Sequence, residues 1–359
     1  MKKHLLLQNS TRAKVLKNSI FLFFTLAFSV NCFATTSTSE LKKKIDSIEK
    51  HSNSIIGISA IYIENNERIE HNGNKRFFMA STIKVPIAVA FLHRVDQKKE
   101  SLTRPIKLDL NNSVPGSGSL YHTFEKRKIS MPSQQILKHM LTDSDNSASD
   151  TILDAVNGPE YVTKRMQALG FNSITVNRSI LEMLMDTNHV NHSYLDTPHS
   201  VYSWKKIFNQ TPLKQKVLAW KRFEKDPRDS TTPDDMAKLL AKLYKKQVLS
   251  ESSTDLLIKI MEQCRTGRSR IKGLLPPNVK VAHKTGTWGI GEQKYLQYPG
   301  SKKLFRFTSD VGIITLPHNK GHIAIAIYVK SRSESDYPRS RAIALASRAV
   351  YEHFMKKNK

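Results

Sequence analysis

Cysteine is nearly absent: the 359 residues contain two, Cys32 and Cys264. Two cysteines cannot build a disulfide framework. If the first leaves with a leader, no intramolecular bridge is possible even in an oxidising compartment. Cys264 reads as a small structural residue, with no histidine partner evident to make it a nucleophile. Long apolar runs are absent as well: Ile20–Phe28 is too short to span a bilayer comfortably. There is no low-complexity tract, and no zinc-finger, RNP-like or glycine-rich nucleic-acid motif. Acid is scarce, 31 Asp and Glu against 57 Lys and Arg, for a net charge of +26. The basic residues are spread along the chain. That speaks for a solvated basic surface, or for attraction to anionic envelope lipids or cell-wall polymers, and not for a nucleic-acid partner. Length and a 39% hydrophobic content allow one large domain or two smaller ones, with a sizeable core.

The first residues present form a targeting pattern. Lys2, Lys3, Arg12, Lys14 and Lys17 precede the apolar run, and small residues follow around Cys32–Ala34. This is a basic segment, an apolar segment and a cleavage site after Ala34. Residues 1–34 are therefore read as a signal peptide and 35–359 as the folded chain, exported to the periplasm or secreted, with no stable membrane insertion once the leader is gone. An uncleaved anchor is the alternative; a lipidated Cys32 fits poorly after Val30-Asn31. Removing the five leader charges leaves +21 of the +26 on the rest.

The chain is organised around Phe78-Met79-Ala80-Ser81-Thr82-Ile83-Lys84-Val85-Pro86, followed by the apolar run Ile87–Leu92. A helix starting near Ile83 accommodates Pro86, since the first amides of a helix have no internal partner. Ser81 and Lys84, at i and i+3, share a face. A serine at a helix N-terminus beside a desolvated lysine is an activated nucleophile in outline. Alone the pattern is common. Two further stretches, Ser144-Asp145-Asn146 and Lys284-Thr285-Gly286, follow 63 and 140 residues on in turn (144−81, 284−144). The three motifs in that order mark the penicillin-recognising serine enzymes.

Around them, Glu40–Ser52 reads as an amphipathic helix, Ile55–Ile63 as a strand, Asn65-Asn66 as a turn and Glu67 onward as its partner strand. Residues 101–275 read as mostly helical. Strands are expected at 280–287, Asp310–Leu316 and His322–Val329, and a last helix at Ser340–Phe354. The fold class is mixed α/β (α+β): one antiparallel five-stranded sheet built from both chain ends, helices on both faces, and an inserted all-helical subdomain at about 101–275.

On these motifs the chain resembles the class A serine β-lactamases. The resemblance extends to Asn157–Thr163 with Leu169-Gly170, Arg228–Pro233 with Met236-Ala237, Arg270–Pro276 and Ser309–Gly312, and covers about residues 40–355. It implies that Ser81 attacks the lactam carbonyl and that Lys84 takes its proton. Ser144, aided by Lys284, would pass a proton to the leaving nitrogen. Asn146 would hold the substrate's side-chain amide. The backbone N–H groups of Ser81 and Thr287 would form the oxyanion hole, one such donor being worth about 2.7–4 kcal/mol. Thr285 and Gly286 would line the substrate, with Thr285 bonding its carboxylate. Arg306 is a second candidate for that carboxylate. The resemblance implies no cofactor, no metal, a small-molecule β-lactam partner and a monomer.

The sequence departs from the pattern at the water-activating base. The family carries a glutamate two residues after an arginine; here that spacing from Arg178 lands on Ile180. Glu182, two residues later, fits a looser pattern as the base, with Asp186 as its water-holding partner. Residues 187–225 are extra, a long segment near the site with His189, His192 and His199, for which a metal role has no supporting pattern. Trp288 stands where the family has a small residue. Two alternatives to a lactamase remain: a cell-wall transpeptidase or carboxypeptidase that acylates and stalls, and a non-catalytic peptidoglycan-binding scaffold.

Overall fold

Ser54–Tyr62 is rich in β-branched residues, Ile55, Ile56, Ile58 and Ile61, and this run becomes the first strand, β1. The computed structural model describes residues 39–289 and 300–357, so the leader lies outside them. The chain divides into a small unit, Met1–Ser47, and a large one, Ile48–Lys359. A helix, α1, runs over residues 39–52. Everything below concerns the large unit.

β1 pairs with β2 (Glu67–His71). After β3 (Phe77–Phe78) comes α2 (Lys84–Asp96). A small hairpin-like pair, β4 (Pro105–Leu108) and β5 (Ile129–Pro132), flanks α3 (Tyr121–Phe124). Six helices follow: α4 (Ser133–Thr142), α5 (Asn146–Ala155), α6 (Pro159–Ala168), α7 (Ile180–Asn188), α8 (Val201–Gln210) and α9 (Leu213–Phe223). After β6 (Ser230–Thr231) come α10 (Pro233–Tyr244) and α11 (Glu251–Glu262). The chain closes with β7 (Val281–Trp288), β8 (Arg306–Thr315), β9 (His322–Ser331) and α12 (Tyr337–Lys357). The main sheet runs β2-β1-β9-β8-β7, every pair antiparallel, as expected. The stretch 101–275 is less purely helical than its composition suggests. β4 pairs with β5 inside it, and β6 pairs with β3 outside it.

Strand period 2 sends alternate residues to opposite faces. From β1, Ser59 reaches α10, its Oγ donating to Asp234 Oδ1 at 2.9 Å. Tyr62 points the other way and stacks on Phe354 of α12, ring centres 5.4 Å apart. The sheet is thus covered on both faces. α2 is buried continuously from Lys84 to Leu92, which is what an apolar run without a polar stripe requires. Each such Val, Leu, Ile or Phe contributes about 1.5–3 kcal/mol. Phe91→Ala would cost about 3–5 kcal/mol.

Candidate active site

Ser81 sits in a 3₁₀ turn, Ala80–Ile83, that runs directly into α2 at Lys84. Pro86 is the third residue of α2, where its missing N–H costs nothing. Ala80, just before Ser81, has φ +47°. This left-handed conformation costs a non-glycine residue about 1 kcal/mol or more, and such strain concentrates at functional sites. Lys84 is fully buried. Its Nζ donates to Ser144 O (2.6 Å), Ser144 Oγ (3.2 Å), Asn146 Oδ1 (3.0 Å) and Asp145 O (3.5 Å). The amine expected beside Ser81 is therefore anchored on the second motif. Burial first, and the charge of Lys284 second, hold Lys84 well below the usual lysine range, against Asp145 and Asp150. A lysine so placed sheds its proton readily, as a general base must.

The second motif is a sharp corner. Ser144 has φ +58°. Asp145 caps α5, its carboxylate accepting Ala148 N at 2.9 Å and, at the same distance, Leu120 N. Asn146 opens the helix, and its Nδ2 donates to Pro115 O at 2.8 Å. A Cβ on Gly116 (φ +106°) would lie 2.7 Å from that nitrogen, so only glycine leaves Asn146 its place.

β7 brings the third motif. Its alternation turns Lys284 and Gly286 to the site and His283 and Thr285 to the other side. Lys284 Nζ donates to Ser144 Oγ at 3.0 Å, so Ser144 lies between two lysines. Burial, with Arg270, pulls Lys284 down to about 8, against Cys264 and Asp310. Gly286 lies against the nucleophile turn: a Cβ there would sit 2.7 Å from Met79 O and 3.1 Å from Ala80 Cβ. Thr285 Oγ1 is 2.6 Å from Thr266 Oγ1. Arg306 Nη1 donates to Leu304 O and Arg332 O. Arg270 Nη1 donates to Gly286 O at 2.9 Å and its Nη2 to Thr287 Oγ1 at 2.5 Å.

Behind the strand, Cys264 lies beside His283, and its Sγ is 3.3 Å from Thr266 Oγ1. His283 Nδ1 lies 2.9 Å from Asp310 Oδ1. Burial pushes His283 down, but the charge and hydrogen bond of Asp310 outweigh it and raise it to about 9. Burial pushes the Cys264 thiol up, but the neighbouring His283 outweighs it and brings the thiol down to about 6. The proximity was invisible in sequence because the two residues come from the loop after α11 and from β7.

A cleft of about 360 Å³ gathers Ser81, Asn146 and Thr287 with Trp288. The extra segment 187–225 forms much of its wall as α8 and α9, through Lys205, Phe208, Lys216 and Trp220. From α7 the lining residues are Leu184, Thr187 and Asn188, one helix face at i, i+3 and i+4.

Glu182 and Asp186 are not brought to the cleft. They share the helix face turned away from it, each two residues, about 200°, from Leu184. Glu182 caps its own helix: its Oε2 accepts Ser179 N at 2.7 Å while Ser179 Oγ accepts Glu182 N at 3.1 Å. Its charge bears on Asp154, eight residues and about 12 Å of helix beyond Asn146. Asp186 is an ion-pair partner, its Oδ2 2.6 Å from Arg178 Nη1 and its Oδ1 2.9 Å from His192 Nε2. Arg178 is itself held by Asp229 at 2.6 Å. The position two after Arg178 is Ile180, whose N–H donates to Asp150 Oδ1 at 2.7 Å. Among the described residues no aspartate or glutamate lines the cleft. The other histidines of the segment serve locally: His189 ends α7, and His199 packs edge-on to Trp204.

Two buried lysines that share the Ser144 hydroxyl, with the partly buried Ser81 three residues before the first of them, are the arrangement of a penicillin-recognising serine enzyme. A family model described as the β-lactamase enzyme family matches residues 40–354, and the chain belongs to that family. It is 27% identical to the β-lactamase VEB-1 of Pseudomonas aeruginosa over 346 residues, 96% of this chain and 100% of that one. It is 28% identical to the extended-spectrum β-lactamase PER-1 of the same organism, over 92% and 93% of the two chains. The crystal structure of the TLA-3 extended-spectrum β-lactamase superposes with a TM-score of 0.68 at 27% identity, covering 88% of this chain and 98% of that one. An ancestral class A β-lactamase gives 0.67 at 26%, covering 87% and 99%.

Proposed function

We propose that this class A family member opens the β-lactam amide by acylation at Ser81 and that release of the acyl group is its slow step. The observation that carries the first half is the placement of Ser144 Oγ, 3.2 Å from Lys84 Nζ and 3.0 Å from Lys284 Nζ, two residues before Asn146, which lines the cleft that holds Ser81. Lys84, short of its proton, takes the Ser81 hydroxyl proton as Oγ attacks the carbonyl carbon. Ser144 passes a proton to the lactam nitrogen as the C–N bond breaks, and Lys284 replenishes it. Asn146 holds the side-chain amide and the Ser81 and Thr287 amides the oxyanion. Arg270 braces Thr287 from behind.

The second half rests on Glu182. Its carboxylate is committed to the α7 cap, and Ile180 occupies the position at family spacing from Arg178. A positioned base contributes about 10² to 10⁴ in rate, so its displacement leaves the acyl-enzyme long-lived. This favours a second reading, a penicillin-binding cell-wall enzyme, in proportion to that lifetime. A non-catalytic scaffold is disfavoured, because two buried lysines cost stability that binding alone does not require. The basic and apolar leader supports export to the periplasm. Among the described residues no helix is long and apolar enough to cross a membrane. The test is covalent labelling with a fluorescent penicillin. Stoichiometric label on wild type and none on Ser81→Ala is expected; equal labelling of both would overturn the nucleophile.

A further inference from the structure

The outward face of α9 carries charge of one sign. From Thr197 to Phe223 the chain has no aspartate or glutamate. Buried Val217, Ala219, Trp220 and Phe223 fix the inward face of the helix, and Trp220 Nε1 donates to Phe305 O at 3.0 Å. At about 100° per residue, Lys214, Lys221, Arg222 and, one residue past the Glu224 cap, Lys225 fall within about 60° of Leu218 on the opposite face. All five are exposed, Leu218 by 44%. Lys221 and Lys225, at i and i+4, repel each other, which destabilises a helix. No carboxylate among the described residues pairs with any of the four cations; Arg222 Nη2 lies 3.3 Å from His189 Nδ1. The nearby acids are taken. Glu224 Oε2 accepts Phe305 N at 3.0 Å, while Asp186 holds Arg178 and Asp226 holds Arg228, both at 2.6 Å. Past the helix end, Arg222, Lys225 and Arg228 line a cavity of about 610 Å³.

We propose that this face docks on an anionic lipid surface, with lipid phosphates on the cations, one of them reaching the cavity, and Leu218 at the headgroup boundary. A negative membrane surface raises the affinity of a protein by about fivefold for each Lys or Arg held near it. Four such cations on one helix face, unopposed by acid, complement that surface. The exposed leucine at the centre of the patch suits a lipid boundary and adds nothing to the binding of a soluble polyanion. Export, proposed above, carries the chain past such a surface. Lys216 and Trp220, which line the cleft, are each two residues, about 200°, from Leu218. The docking face therefore turns away from the acylation site.

The exported protein should be co-sedimented with phosphatidylcholine vesicles, with and without about one-third phosphatidylglycerol. Binding is expected to the anionic vesicles only, and should fall steeply as salt rises. Lys214→Gln/Lys221→Gln/Lys225→Gln should weaken it by roughly thirtyfold or more. Lys98→Gln/Lys107→Gln/Lys138→Gln removes the same charge from exposed positions elsewhere, and should weaken it by no more than about threefold. Leu218→Asp, which sets a carboxylate at the centre of the face, should weaken it by about tenfold. Equal losses in the two triple variants, or no binding of wild type to anionic vesicles, would overturn the proposal. Heparin binding that the first triple variant loses, without vesicle binding, would assign the face to a soluble polyanion and overturn it too. So would release of bound protein by inorganic phosphate at constant ionic strength, which would assign the cations to a free anion. Fluorescent-penicillin labelling of the first triple variant should match wild type, which keeps this test independent of the Ser81 reading.

Discussion

Asp150→Asn should reshape the pH dependence of stability. Asp150 is partly buried on α5, and its two oxygens accept Ile180 N at 2.7 Å and Leu181 N at 2.9 Å, fixing the start of α7. Burial raises its carboxyl from 3.8 to about 7; the two backbone donors and Lys84 oppose this, and Asp154 adds to it. The sign follows from proton counts. Between 3.8 and about 7 the folded state holds the proton that the unfolded state has lost, so stability falls as pH rises through that window. Integrated from pH 5.5 to 8, this one group removes about 2 kcal/mol. Asparagine cannot titrate. It also offers one acceptor where two are needed, at a cost of about 1–3 kcal/mol that is the same at every pH. Urea unfolding of both proteins at pH 5.5 and pH 8 isolates the effect, because other titrating groups cancel in the difference. The variant should gain about 2 kcal/mol on wild type between the two pH values. A difference that stays constant within about 0.5 kcal/mol would refute the reasoning.

Other predictions follow from the same cluster. Gly286→Ala puts a Cβ into the space between β7 and the nucleophile turn. It should cost about 1–3 kcal/mol in urea unfolding and slow acylation more than tenfold; an unchanged rate would show that this close approach is not needed. Lys284, with a pKa lowered to about 8, is charged below that pH and neutral above it. Acylation kcat/KM should therefore decline above about pH 8. Lys284→Arg should move that limb upward because a guanidinium stays charged; a limb still at 8 in the variant would assign it to another group.

The sheet was legible because its strands are rich in β-branched residues and lie near both chain ends. The three motifs were legible because each is short and contiguous. What was not legible depends on contacts between distant segments. Cys264 comes beside His283 only when the loop after α11 meets β7. Arg270, not Arg306, reaches Thr287, since residue type cannot rank two arginines that flank one strand. Residues 187–225 lacked motifs, yet the amphipathic runs around Trp204–Phe208 and Val217–Phe223 become the wall of the cleft. Glu182 matched a linear pattern, but Ser179 three residues before it also makes the same glutamate a capping-box partner, and in the fold it takes up that cap.

The central claim is that Ser81 is acylated quickly and released slowly, with Glu182 outside the reaction. Intact-protein mass should be followed with time after mixing with benzylpenicillin, on wild type, Glu182→Gln and Ser81→Ala. The account predicts a penicilloyl adduct that accumulates on wild type, an adduct lifetime in Glu182→Gln within about threefold of wild type, and none on Ser81→Ala. Rapid turnover by wild type with the adduct trapped only in Glu182→Gln, a change on the order of 10² or more, would contradict it and return Glu182 to the cleft as the deacylating base.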